Sequence, residues 1–78
     1  MITVYTRPGC SQCMMTKKML EKLGAEFVEI NVDENPSVAD ELRDLGYRAL
    51  PVVEDGTTGD VWTGHRPERV KKLAREAD

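Results

Sequence analysis

Between Ile2 and Val32 the sequence reads as strand, helix, strand, and that order confines the fold more than any other feature does. Ile2-Thr3-Val4-Tyr5-Thr6 is a run of β-branched and aromatic residues closed by Arg7-Pro8-Gly9, the composition of a strand ending in a turn. From Ser11 to Leu23 the spacing changes. Thr16, Met19, Leu20 and Leu23 fall at i, i+3, i+4 and i+7 with Lys17, Lys18, Glu21 and Lys22 beside them, which is one stripe of a helix. Gly24, tolerant of positive φ, stops it. Ala25 to Val32 then sets Phe27, Val28, Ile30 and Val32 against Glu26, Glu29 and Asn31, a second strand. Two strands joined through a helix of this length pair in parallel with a right-handed crossover.

The rest of the chain completes one sheet. Asn35-Pro36 predicts an N-cap and a first helical position, Val38, Leu42 and Leu45 the buried stripe, and Gly46 the stop. Short strands are expected at 52–54 and 60–63, around an Asp55-Gly56-Thr57-Thr58-Gly59 turn slightly long for a tight hairpin. Pro67 starts a last helix with Val70, Leu73, Ala74 and Ala77 inward. The order β-α-β-α-β-β-α predicts an α/β fold, a mixed four-stranded sheet flanked by three helices on its two faces. Seventy-eight residues bury only about 60 to 65 % of the surface an unfolded chain exposes, so residues 1–78 are expected to form a single domain.

Composition narrows the function. An apolar fraction of 40 % and a charged fraction of 32 % argue against disorder. A formal net charge of −3 gives no basic footprint for nucleic acid or an anionic membrane, so neither is expected as a partner. No start resembling a secretory signal is present, and no apolar stretch approaches the roughly 20 residues that span a bilayer. The expected location is the cytoplasm, where structural disulfides are rare and a cysteine pair is usually catalytic or metal-binding.

Cys10-Ser11-Gln12-Cys13 stands where the first strand gives way to the first helix, and three readings compete for it. A zinc site needs about four ligands, and beyond this pair the chain offers only His65 unless a second copy supplies another pair. A structural disulfide closing so small a ring removes little unfolded-chain entropy. Redox catalysis is favoured by position. The free N–H groups and positive dipole end of a helix N-terminus stabilise an anion, so a Cys10 thiolate is expected with a pKa below the free value of about 8.5. Cys13, one turn further in, is expected to be more buried and less acidic. Cys10 then attacks a substrate disulfide and Cys13 resolves the mixed disulfide. Arg7 is either a further support for the thiolate or a solvated loop charge. Ser11 and Gln12, lying between the cysteines, can tune the potential.

These residues also carry a resemblance that spans essentially the whole chain. Thr6-Arg7-Pro8-Gly9-Cys10-Ser11-Gln12-Cys13 resembles the glutaredoxin group, and Gly46-Tyr47-Arg48-Ala49-Leu50-Pro51-Val52-Val53 resembles its second block. Gln12, together with Trp62-Thr63-Gly64-His65-Arg66-Pro67-Glu68, is most similar to the NrdH-redoxins, whose signature there is Trp-Ser-Gly-Phe-Arg-Pro-Asp/Glu. The resemblance implies a thioredoxin fold, no bound cofactor beyond a redox-active Cys10–Cys13 disulfide, and NADPH used indirectly through thioredoxin reductase. It implies class Ib ribonucleotide reductase, or other disulfide-containing proteins, as the electron acceptor. It also implies a cis Leu50–Pro51 bond that sets the Leu50 backbone beside the cysteines, where it can pair with a substrate chain in β fashion. A run from Trp62 through Gly64, His65, Arg66 and Pro67 is implied to order the loop near the active site through hydrogen bonds.

Two departures stand out: His65 replaces the family's Phe, and Thr63 its Ser. His65 adds a group that titrates near neutrality, and a surface loop position is expected for it, with partner contact as the other reading. Trp62 is either core or a partner anchor, core being favoured. Met14 and Met15 read as helix filler in preference to an adaptable docking rim. Two other functions remain open. One is a glutaredoxin fed by glutathione or another small thiol, although the usual glycine-pair and acidic motif is replaced here by Gly64-His65-Arg66-Pro67-Glu68. The other is a zinc or iron–sulfur module. Nothing in the sequence suggests more than a monomer.

Overall fold

Seven elements follow one another in the expected order: β1 (Ile2–Thr6), α1 (Ser11–Lys22), β2 (Phe27–Asn31), α2 (Pro36–Asp44), β3 (Val52–Asp55), β4 (Val61–Thr63) and α3 (Pro67–Ala77). The computed structural model describes residues 1–77, and side-chain surroundings as far as Leu73, so the expected inward positions Ala74 and Ala77 lie outside the described side chains. The four strands form one mixed sheet in the order β2-β1-β3-β4. β1 pairs in parallel with β2 and antiparallel with β3, and β3 pairs antiparallel with β4. This is the thioredoxin-like arrangement.

Register explains the core. Val4, Val53 and Trp62 face one another across three strands, and facing residues share one side of a sheet. Ile2 lies two residues from Val4 and so points the same way. Leu20 from α1 and Val70 and Leu73 from α3 close over this side, forming one buried cluster with Ile2, Val4, Val53 and Trp62. The other side carries Tyr5 opposite Val52. α2 lies over that side, and burial together with nearby Glu54 and Glu41 raises the Tyr5 phenol above its ordinary pKa.

Both early helices end in the same way. After α1, the Gly24 N–H bonds the Glu21 carbonyl and the Ala25 N–H bonds the Leu20 carbonyl. After α2, the Gly46 N–H bonds Arg43 and the Tyr47 N–H bonds Leu42. These are paired Schellman closures, each turning on a glycine at positive φ, +74° at Gly24 and +90° at Gly46.

Several details depart from the sequence reading. β2 is confined to Phe27–Asn31, although the Val32 N–H still reaches the Thr6 carbonyl at 2.8 Å. Leu23 lies past the last turn of α1 and is exposed, because the helix closes at Lys22. Leu45 likewise lies just past α2 and is 67 % exposed, and no residue of that helix is fully buried. Asn35 occupies the N-cap position but makes no side-chain cap; its Nδ2 donates instead to the Asn31 carbonyl at 2.8 Å, bracing the turn before the helix. The long β3–β4 turn is organised by buried Asp55, whose carboxylate accepts from the Thr57 N–H at 2.9 Å and the Thr58 hydroxyl at 3.0 Å. The Thr57 bond is the main reason its carboxyl is held below the usual range, against the opposing effect of burial.

Candidate active site

The loop leaving β1 turns at Gly9, with φ +78°, and delivers Cys10 to the N-cap position of α1. Its backbone there is extended, φ −93° and ψ 106°, so its side chain folds back over the first turn in the manner of a capping residue. The Cys13 N–H points at Cys10 Sγ at 3.2 Å. Cys10 and Cys13 are joined as a disulfide, their Cα atoms 5.2 Å apart. Cys10 is half-buried, whereas Cys13 is 1 % exposed, the asymmetry expected from the sequence. A helix N-terminus offers a sulfur there the donor and dipole that favour its anionic form.

Two distant segments come to this turn. The Leu50–Pro51 bond is cis, as the resemblance implies, and buried Pro51 leads directly into β3. The loop after β4 ties this segment to the cysteine helix through three hydrogen bonds. The Gly64 N–H donates to the Pro51 carbonyl at 2.8 Å, and the His65 N–H donates to Gln12 Oε1 at 3.1 Å. His65 Nδ1 shares a 2.8 Å hydrogen bond with the hydroxyl of Thr16, a fully buried residue of α1. Gly64 has φ +83°, a conformation side-chain-bearing residues avoid, and a Cβ placed there would rest 3.5 Å from Gln12 Oε1.

Other expected site residues stand at varying distances from this arrangement. Arg66 is exposed and spends its Nε on the Thr63 carbonyl at 3.1 Å, while its own carbonyl receives the Arg69 and Val70 N–H groups that begin α3 after Pro67. Ser11 is exposed beside the disulfide. Arg7 pairs with Asp33 at 3.5 Å, both half exposed, a contact that water screens. Trp62 is not a surface anchor: it is 5 % exposed in the core, with the Arg69 guanidinium 4.9 Å from its ring centre. His65 is not a free surface side chain either, being partly buried and bonded to Thr16. Met14 and Met15 are both about half exposed, so neither fills the core.

Thr16 is the site residue that periodicity hides: it falls on the apolar stripe of α1, and the one signal is a hydroxyl where that stripe wants a hydrocarbon. Beneath the same helix, Glu29 accepts from the Thr6 hydroxyl at 2.7 Å and from Lys17 Nζ at 2.9 Å. The Thr6 bond first, then Lys17, holds its carboxyl below the usual range. Among the described residues, no group of three or more His, Cys, Asp or Glu gathers in a way that could hold a metal ion, and no helix is long and apolar enough to cross a membrane.

Comparison with known proteins agrees with this geometry. The glutaredoxin family model matches residues 2–58. The glutaredoxin-like protein NrdH of Salmonella typhimurium is 47 % identical over 72 residues, covering 92 % of this chain and 86 % of that protein. The NrdH of Lactococcus lactis is 41 % identical over 75 residues, covering 95 % of this chain and all of the relative. Among solved structures, the NrdH-redoxin of Escherichia coli superposes with a TM-score of 0.87 at 46 % identity, covering 92 % of each chain. With a cysteine pair at the start of a helix, and likeness along nearly its whole length, the chain belongs to the glutaredoxin-like NrdH-redoxins, a family of thiol–disulfide oxidoreductases.

Proposed function

We propose that the chain carries electrons from NADPH, by way of thioredoxin reductase, to disulfides in proteins, class Ib ribonucleotide reductase among them. The observation that carries the chemistry is the asymmetry of the pair: Cys10 sits half-buried at the helix N-terminus under an N–H donor, and Cys13 is sealed beneath it. In the reduced protein the Cys10 thiolate attacks one sulfur of the substrate disulfide. That S–S bond breaks, the leaving sulfur departs as a thiolate and takes a proton, and Cys10 is left in a mixed disulfide. Cys13 then loses its proton and attacks Cys10 Sγ, expelling the second substrate sulfur. The second sulfur too leaves as a thiolate and is protonated, so two electrons from the pair and two protons, one from Cys13 and one from solvent, have reached the substrate, and the Cys10–Cys13 disulfide has formed. The reductase returns the electrons.

The Leu50 backbone supports the choice of a protein substrate. Among the described residues its N–H and carbonyl make no backbone hydrogen bond, so it is open to pairing with an extended chain. In this reading Arg7, Ser11, Gln12, Leu50 and Pro51 line the approach to Cys10, while Gly64, His65, Arg66 and Pro67 hold that approach in shape, with Trp62 anchoring them from the core. The chain works as a cytoplasmic monomer of one domain. Two facts favour thioredoxin reductase over glutathione as the electron source. The Escherichia coli relative, 46 % identical, has a thioredoxin-like activity profile, and Gly64–Glu68 replaces the glycine-pair and acidic motif of ordinary glutaredoxins.

The test is NADPH consumption with a model disulfide, comparing thioredoxin reductase with glutathione plus glutathione reductase. Turnover with thioredoxin reductase alone is expected, and turnover only with glutathione overturns that electron source. Cys10→Ser is expected to abolish turnover, and Cys13→Ser to accumulate the mixed disulfide.

A further inference from the structure

A groove of about 400 Å³ lies against α2, lined from the loop after β1, from α2 itself and from the segment before Pro51. Its floor is apolar, with Val32, Leu42 and Leu50, and its rim carries Arg7, Arg43 and Arg48. No Asp or Glu lines it, in a chain whose net charge is −3. Such a volume falls within the range of about 300–1,000 Å³ typical of ligand clefts. Two of its lining residues adjoin the redox site along the chain: Leu50 directly precedes cis-Pro51, and Arg7 lies in the loop that delivers Cys10.

The three cations are poorly neutralised. Arg43 reaches Asp40 at 3.4 Å and Arg7 reaches Asp33 at 3.5 Å, but all four side chains are more than half exposed, and exposed pairs contribute little. Among the described residues Arg48 makes no ion pair. A carboxylate offered by a ligand therefore displaces weak partners at Arg7 and Arg43 and meets none at Arg48. An extended peptide turns successive side chains to opposite sides. One laid along this groove sets one series of residues on the apolar floor and the other against the arginine rim.

We propose that this groove holds an acidic, extended stretch of the disulfide-bearing protein substrate, with Arg43 and Arg48 taking its carboxylates while its disulfide meets Cys10. The proposal rests on the protein-disulfide reading of Cys10–Cys13 and adds to it a charge selection for the flanking sequence. Arg43 and Arg48 are then specificity residues that touch the substrate away from the reacting sulfurs. Complementary charges of this kind act mainly on encounter and on substrate affinity, so their effect belongs in KM and weakens with salt.

The experiment uses two peptides of equal length with the same disulfide, one flanked by glutamates and one by serines, each reduced by the full chain. A kcat/KM for the acidic peptide about tenfold higher at low salt is expected, as a single charge-assisted contact supplies. The ratio should fall towards one in the Arg43→Ala, Arg48→Ala double variant, through KM, while Arg43→Lys, Arg48→Lys retains most of it. If the double alanine variant fails to fold by circular dichroism, Arg48→Glu carries the test and should invert the preference between glutamate-flanked and lysine-flanked peptides. Equal reduction of the two peptides by the wild type, or an undiminished ratio in the alanine variant, overturns this proposal alone. Failure to reduce either peptide overturns the redoxin reading along with it. A loss in the variant confined to a glutathione mixed disulfide places a small thiol in the groove instead, and overturns the peptide.

Discussion

The two faces of the sheet are built to different standards. Under α1 and α3, the row Val4, Val53 and Trp62 is sealed by Leu20, Val70 and Leu73. Over the opposite face, α2 buries none of its residues fully, Leu45 beyond its end is 67 % exposed, and Val28 on the edge strand β2 is 45 % exposed. Apolar area removed from water is the main stabilising term in a domain this small, so stability is concentrated on the first face. The second face keeps the groove and the arginines. The difference teaches that this chain divides its one sheet unevenly: one side is sealed by two helices, and the other is only partly covered by α2.

The most damaging change should fall on the closed face. Leu20→Ala leaves a cavity under α1 and is expected to cost about 3 kcal/mol in urea unfolding. A cost under about 1 kcal/mol would break the comparison. A smaller effect is expected at the end of β3. Asp55→Asn weakens a charge-assisted acceptor in the hairpin turn and should cost about 1 kcal/mol at neutral pH. Asp55 has a folded pKa below the ordinary value of 3.8, so its contribution is present above the unfolded pKa and is lost as pH falls through the folded one. The gap between wild type and variant should therefore begin to close as pH falls towards 3.8 and go on closing below it, and a gap that stays constant refutes the assignment. Least of all, Leu45→Ser on the open face should change stability by no more than about 0.5 kcal/mol, despite removing a leucine. Hydrogen exchange sharpens the same point, with α2 amides expected to exchange ahead of those in α1.

Much of the closed face was legible because it repeats. Thr16 and Leu20 lie at helical spacing and both are buried, and the β1 strand was read to the residue. The same logic failed at Leu23 and Leu45 for a physical reason: periodicity identifies the apolar side of a helix, but not where the helix closes or whether anything covers its end. The cysteine pair was legible from its place at a strand–helix junction, and the cis bond only through family resemblance. The bond between His65 and Thr16 was not legible at all, since it joins residues 49 apart through side chains that fit no periodic pattern. The arginine rim was hidden for a related reason, because its members come from two separate stretches, Arg7 and Arg43 to Arg48, of a chain that is acidic in sum.

The hydrogen bond from Gly64 to Pro51 joins two main-chain groups. Amino-acid replacement at the neighbouring positions 50 and 65 leaves both of its atoms in place. Lineages descended from such a protein are thus free to trade side chains at these positions while inheriting the clasp unchanged. The expectation for ancestral reconstruction is that side chains at these two positions change by drift, with the skeleton of the reactive turn handed down intact.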